Sequence, residues 1–98
     1  MTTVLVQHRV LDFDVWKAEY DLIVGGPLGA RIRAYRVWRG VDDPNLVVVA
    51  ETYESRGAAE EAAAHPDLPA AFARAGVVMT SMQVDFVDEV EAGTDGAG

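Results

Sequence analysis

The sequence contains no cysteine among its 98 residues. Disulfide bonds, thiolate nucleophiles and cysteine-based zinc or iron–sulfur sites are therefore excluded. Its two histidines, His8 and His65, are too far apart in sequence to form a local metal-ligand motif. We therefore expect a protein without a metal site and without a cofactor.

Basic residues are scarce, with eight Lys and Arg against sixteen Asp and Glu, for a formal net charge of −8. The densest set of basic residues, Arg31, Arg33, Arg36 and Arg39, is spaced along the chain rather than clustered. Nucleic acids and anionic membrane surfaces are recognised by basic patches. We therefore expect neither of them as a partner.

Long apolar runs are also missing, and none approaches the ~20 residues of a membrane span. The N-terminus has no basic segment followed by an apolar stretch, so we expect a cytoplasmic protein. Half of the residues are nonetheless apolar. Because a chain of this length buries only about 60–65% of its unfolded surface, this surplus predicts a second buried surface, in a ligand cavity or a dimer interface.

Hydrophobic periodicity and turn residues divide the chain into alternating strands and helices. The first predicted elements are a strand Thr3–Val10 and a helix capped by Asp12 or Asp14. A hairpin of Arg31–Arg39 and Leu46–Tyr53 follows, with "GVDDPN" as its turn. A helix then runs from Ser55 to about Ala64 and resumes at Leu68–Ala75 after "HPDLP", and the last strand is Val77–Val87. This βαββαβ order is typical of an α+β, ferredoxin-like fold with a four-stranded antiparallel sheet. We expect one domain over residues 1–88 and a disordered acidic, glycine-containing tail over 89–98.

The last strand carries large apolar residues on both of its faces, with Val78, Met82, Val84 and Phe86 on one and Val77, Met79 and Val87 on the other. Two helices cover only one face of a sheet. We therefore expect a homodimer that forms through the sheet faces.

Three segments, "HRVLDFDVWKAEYD", "RVWRGVDDPNLVVVAETYES" and "HPDLPAAFARAGV", resemble the dimeric α+β barrel superfamily. The likeness is to its small antibiotic-biosynthesis-monooxygenase-like and cyclase-like bacterial proteins, and it covers Val4 to about Val87. It implies a homodimer with a small-molecule cavity between each sheet and its helices. Members include cofactor-free oxygenases, polyketide cyclases, lactone isomerases and haem-degrading enzymes, so the fold alone does not set the chemistry.

The resemblance implies a cofactor-independent enzyme of the monooxygenase-like or polyketide-cyclase-like kind, acting on an aromatic or polyketide-like compound. The alternative is a non-catalytic ligand-binding or stress-associated barrel dimer that holds a small apolar or aromatic ligand. A haem-binding or haem-degrading protein is a third possibility. The haem-degrading branch resembles the chain least, because it has a tryptophan where this sequence has Tyr53, and because His65 precedes Pro66 and is expected in a bend.

Strand alternation places His8 on the same face of the first strand as Val4, Val6 and Val10, so we expect it to face the cavity. If the residues paired across the hairpin have numbers that add to 85 or 87, Arg36 and Trp38 lie on the same sheet face as Glu51 and Tyr53. His8, Arg36, Glu51 and Tyr53 are therefore the candidate catalytic residues. A histidine can transfer a proton near neutral pH, while arginine and tyrosine can stabilise a developing oxyanion.

Trp16, Trp38 and Phe72 are the candidate residues for stacking on an aromatic substrate. Each candidate also has a structural explanation. His8 can be a satisfied core residue, Arg36 and Glu51 can form a cross-strand ion pair, and Trp16 fits the buried stripe of an amphipathic helix.

Overall fold

The computed structural model describes residues 1–96 and shows the predicted α+β architecture. Its strands are β1 (Thr2–Val10), β2 (Ala34–Arg39), β3 (Leu46–Tyr53) and β4 (Val77–Val87), and its helices are α1 (Phe13–Gly25), α2 (Arg56–Ala63) and α3 (Leu68–Ala75), with a short 3-10 helix at Pro27–Gly29. The antiparallel sheet has the order β2-β3-β1-β4. The predicted βαββαβ ferredoxin-like fold is thus confirmed, with the second helical region split into α2 and α3.

Polar caps set the ends of the helices. Asp12, rather than Asp14, caps α1, because its Oδ1 accepts hydrogen bonds from the backbone amides of Asp14 and Val15. Ser55 caps α2 through the amide of Ala58. Gly76 ends α3 in the left-handed conformation with φ 72°, which glycine adopts without steric cost.

The helices pack on one side of the sheet, here called the cavity face, and the opposite side is called the outer face. Buried residues of the cavity face and of the helices form two adjoining core clusters, which include Val10, Trp16, Tyr20, Val47, Val49 and Ala75 in one and Val4, Tyr53, Ala58 and Ala59 in the other. Along β1 the buried and less buried positions alternate, so Val4, His8 and Val10 lie on the cavity face.

The hairpin register differs from the predicted one by one residue. Paired residues sum to 86, as in Tyr35 with Glu51 and Val37 with Val49. A backbone hydrogen bond of 2.8 Å from Gly40 N to Leu46 O closes a loop of five residues, 41–45. A loop with an odd number of residues makes the numbers of paired residues add to an even total, so the expected totals of 85 or 87 were wrong. Because the register differs by one residue, every β2 side chain lies on the face opposite to the predicted one.

The segment after β4 has no helix or strand among its described residues 88–96. Its predicted disorder stays a prediction, and residues 97 and 98 lie outside the described range. Within residues 1–96, no helix is both long enough and apolar enough to cross a membrane.

Candidate active site

A cavity of about 210 Å³ lies between the cavity face of the sheet and the helices. Its apolar walls come from every helix and from β1, β3 and β4, and they include Ile23, Leu28, Ile32, Leu68, Phe72 and Phe86. The polar side chains that line it are few: His8, Tyr20, Glu51 and Tyr53, together with the indole of Trp16. A mostly apolar pocket with a few convergent polar groups is the usual form of a small-molecule site.

His8 lies on β1 at one end of this cavity with only 3% of its surface exposed. Its Nδ1 is buried and has no hydrogen-bond partner within the described residues. Burial lowers the pKa of the imidazole below its usual value of 6.5, and an interaction with the Arg9 backbone opposes only part of that shift, so His8 is neutral at pH 7. A buried polar atom without a partner costs about 1–3 kcal/mol, which is the kind of cost that a ligand can remove.

An irregularity in β4 lies directly opposite His8. Gln7 pairs with Gln83 and Arg9 pairs with Val78, so four residues, Met79–Met82, stand against His8 alone. The Ser81 hydroxyl replaces the lost ladder bonds, because its Oγ accepts from Arg9 N at 2.8 Å and donates to Val78 O at 2.6 Å. Irregular strand pairing is frequent beside active sites, where it redirects side chains. Here Val78 pairs with Arg9 on the outer face and Val77 pairs with Val10 on the cavity face, so the predicted faces of these two residues were wrong.

Aromatic rings connect His8 to the far end of the cavity. The Trp16 ring meets His8 edge-on at 5.9 Å and stacks on Tyr20 at 4.9 Å with an interplanar angle of 13°. Trp16 and Tyr20 are one helical turn apart on the buried face of α1, which explains their stacking. The three rings therefore form a continuous aromatic contact along the cavity.

A carboxylate held by two phenols occupies the other end. The Tyr20 hydroxyl donates to Glu51 Oε2 at 2.6 Å, and the Tyr53 hydroxyl donates to Glu51 Oε1 at 3.4 Å. Burial raises the pKa of Glu51, and the two hydrogen bonds partly oppose that shift. Burial and the neighbouring carboxylate raise the pKa values of Tyr20 and Tyr53, so both phenols stay protonated as donors.

The structure brings together five of the seven predicted site residues. His8, Glu51, Tyr53, Trp16 and Phe72 all line the cavity. Arg36 and Trp38 do not, because the even register puts them on the outer face, paired with Ala50 and Val48. The predicted contact between Arg36 and Glu51 was therefore wrong, and Trp38 is 47% exposed on the side away from the cavity.

Tyr20 is the site residue that the sequence analysis missed. It belongs to the same helical stripe as Trp16, and its phenol needs a partner once it is buried. Glu51 supplies that partner from β3. The signal lay in the pattern of α1, but only the packing of α1 on β3 shows that the hydroxyl meets Glu51.

His65 lies in the bend between α2 and α3, as predicted. Its Nδ1 accepts a hydrogen bond from Asp67 N at 3.1 Å. It lines a second, shallower groove between α1 and α3 rather than the cavity. No cluster of three or more His, Asp or Glu side chains in residues 1–96 is arranged to hold a metal ion.

Comparison with solved structures shows the same fold in several proteins, some of which are named antibiotic biosynthesis monooxygenases. An antibiotic biosynthesis monooxygenase aligns with TM-score 0.69 and 20% identity over 93% of this chain and all of the other. SnoaB, a cofactor-independent oxygenase from Streptomyces nogalater, aligns with TM-score 0.74 and 17% identity over 93% and 94% of the two chains. A Mycobacterium tuberculosis protein aligns with TM-score 0.66 and 19% identity over 96% and 100%.

No protein-family model and no curated protein matched the sequence. The structural matches confirm the fold expected from the resemblance to antibiotic-biosynthesis-monooxygenase-like proteins. At these identities they establish the fold alone.

Proposed function

We propose that this protein is a cofactor-independent enzyme of the monooxygenase-like kind that acts on an aromatic compound bound in the cavity. The observation that carries the proposal is the buried, unpartnered Nδ1 of His8 facing an apolar cavity that also holds the Glu51–tyrosine cluster. The fold shared with a cofactor-independent oxygenase supports this choice.

His8 is the base in this proposal. Its lowered pKa keeps the imidazole unprotonated at pH 7, so Nδ1 can accept a hydrogen bond and then a proton from an acidic hydroxyl or C–H group. The electron-rich anion that results reacts with O2. One oxygen atom enters the product and the other leaves as water, and the substrate itself supplies the four electrons, so the reaction consumes no external reductant.

The other polar residues position the substrate. Trp16 from α1 and Phe72 from α3 line the cavity and can contact an aromatic substrate. Tyr53 can donate a hydrogen bond to negative charge that develops on the substrate, since its bond to Glu51 is long at 3.4 Å.

An oxygen electrode tests this function. Wild-type protein without added metal or flavin should consume O2 with members of a panel of phenols and naphthols, above their spontaneous oxidation. Replacing His8 with leucine should lower the rate by about 100-fold or more, the usual contribution of a general base. Ring closure without O2 uptake would indicate the cyclase chemistry that the same groups can perform on a polyketide-like chain.

A non-catalytic ligand-binding protein is the second candidate. The observation that favours it is that Glu51, Tyr20 and Tyr53 already satisfy one another without a ligand. Tight binding of a naphthol with no turnover in the oxygen and ring-closure assays would select it.

We also propose a homodimer that forms through the outer faces of two sheets. This face carries Leu5, Trp38, Leu46, Val48, Val78 and Val87, which the helices of the same chain do not cover. Light scattering at micromolar concentration should give the mass of two chains, and Trp38→Glu should shift it to one. A wild-type mass of one chain would contradict the proposal.

A further inference from the structure

The cavity holds a carboxyl group with no positively charged partner. Glu51 is its one carboxylate, and among the residues that line it within positions 1–96 there is no lysine or arginine. Both carboxylate oxygens accept hydrogen bonds from phenols, which is the arrangement that suits an ionised group. Buried charges in proteins are normally paired with an opposite charge, and two neutral hydroxyls replace only part of the lost solvation.

Two further features of the cavity favour a positive ligand. Tyr20 and Tyr53 contact Glu51, Trp16 stacks on Tyr20, and aromatic rings attract ammonium groups most strongly where water is excluded. The chain as a whole carries a formal charge of −8, and a cleft of low dielectric focuses such a field. An anionic ligand is repelled both by the faces of the aromatic rings and by the net negative charge of the chain.

The opposite end of the cavity supplies an independent sign that a ligand belongs there. His8 is 3% exposed, and its Nδ1 has no partner among the described residues. A ligand hydroxyl can bond to this atom while another part of the same molecule reaches Glu51, because the rings of Trp16 and Tyr20 join the two ends.

We propose that the substrate of this cavity is an arylalkylamine. Its protonated amino group lies on an alkyl chain and binds against Glu51, and a hydroxyl on its aromatic ring lies at the His8 end. This deepens the proposed function, on which it rests, by naming the charge of the substrate. Glu51 then selects the ligand by its charge, and His8 contacts the polar group at the reacting end.

Three phenols of similar size test the inference: tyramine, neutral 4-propylphenol and anionic 4-hydroxyphenylacetate, titrated calorimetrically near neutral pH. Tyramine should bind at least about 10-fold more tightly than 4-propylphenol, a difference of about 1.4 kcal/mol, and the anion should bind more weakly than both. Glu51→Gln should abolish the preference for tyramine. The control Glu54→Gln removes an equal charge from an exposed residue outside the cavity and should leave the preference intact.

Equal or tighter binding of 4-propylphenol by the wild-type protein would overturn the inference and leave the proposed function standing. The same holds if Glu51→Gln keeps the preference, or if Glu54→Gln loses it, because the selection would then come from the net charge of the protein. If neither these phenols nor the naphthols of the oxygen assay bind, the inference and the proposed function both fail.

Discussion

The Tyr20 hydroxyl donates a 2.6 Å hydrogen bond to Glu51 Oε2 and so joins helix α1 to strand β3 across the floor of the cavity. The contact exists because Glu51 pairs with Val4 of β1 and therefore lies on the cavity face. It gives a buried carboxylate a donor of fixed position, and it holds the stacked rings of Trp16 and Tyr20 over the sheet.

Tyr20→Phe should lower the free energy of unfolding by about 1.5–3 kcal/mol near neutral pH, because the lost hydrogen bond is made to a charged acceptor. The loss should shrink at acidic pH, where Glu51 becomes protonated and neutral. Urea denaturation at both pH values measures it. Tyr35→Phe is the control, since that ring contacts Tyr20 edge-on at 6.1 Å but is half exposed on β2. An equal loss in both variants would show that the hydrogen bond is not the cause.

His8→Leu should raise the free energy of unfolding by about 1–3 kcal/mol, because it replaces a buried, unsatisfied polar group with an apolar one of similar volume. Thermal and urea denaturation check this. His65→Leu should give no such gain, because His65 Nδ1 has a partner in Asp67. A destabilised His8→Leu variant would indicate that the imidazole is satisfied and belongs to the core.

The pH dependence of stability should show opposite contributions from His8 and Glu51. The native pKa of His8 is lowered, so below its unfolded value of about 6.5 the unfolded chain binds the proton first and stability falls as the pH falls. The native pKa of Glu51 is raised, so stability falls as the pH rises from about 4.5 through that native value. Urea midpoints across this range measure both slopes.

Two variants separate these contributions. His8→Leu should remove the loss of stability that occurs as the pH falls below about 6.5. Glu51→Gln should remove the loss of stability that occurs as the pH rises above about 4.5. A profile that neither variant changes would contradict the burial of both groups.

Gly40→Ala should destabilise the hairpin by about 1–3 kcal/mol, because a Cβ at that position would lie 2.3 Å from the carbonyl oxygen of Asp43. The loop that sets the β2–β3 register cannot accept it without moving its backbone. Gly25→Ala is the matched control, since a Cβ there meets no atom within 4 Å and alanine favours the end of α1. Urea denaturation compares the two, and equal effects would show that the loop has room.

Most of the fold could be predicted from local patterns. The stripe of Trp16 and Tyr20 indicates α1, the two prolines around Asp67 divide the second helical region, and Gly76 ends it. These signals depend on neighbouring residues, so the sequence contains them directly. The alternation of β1 placed His8 correctly for the same reason.

The rest depends on contacts between distant segments. The side of the sheet that Arg36 and Trp38 occupy follows from whether the hairpin loop has an odd or an even number of residues, and "GVDDPN" allows either. The bulge opposite His8 requires the partner strand β1 as well as β4, so no pattern within β4 indicates it. The Tyr20–Glu51 contact needs the packing of helix α1 on strand β3, which joins residues 31 positions apart.

We infer that His8 Nδ1 faces a ligand, and the ¹⁵N resonance of that atom gives a direct test of this claim. The chain has two histidines, so a ¹⁵N-labelled sample gives a spectrum that a His65→Gln variant assigns. Titration with 2-naphthol should shift the His8 Nδ1 resonance as the atom gains a hydrogen bond, while His65, whose Nδ1 is already bonded to Asp67, should stay fixed. A His8 resonance that does not move while calorimetry shows the naphthol bound would contradict the claim.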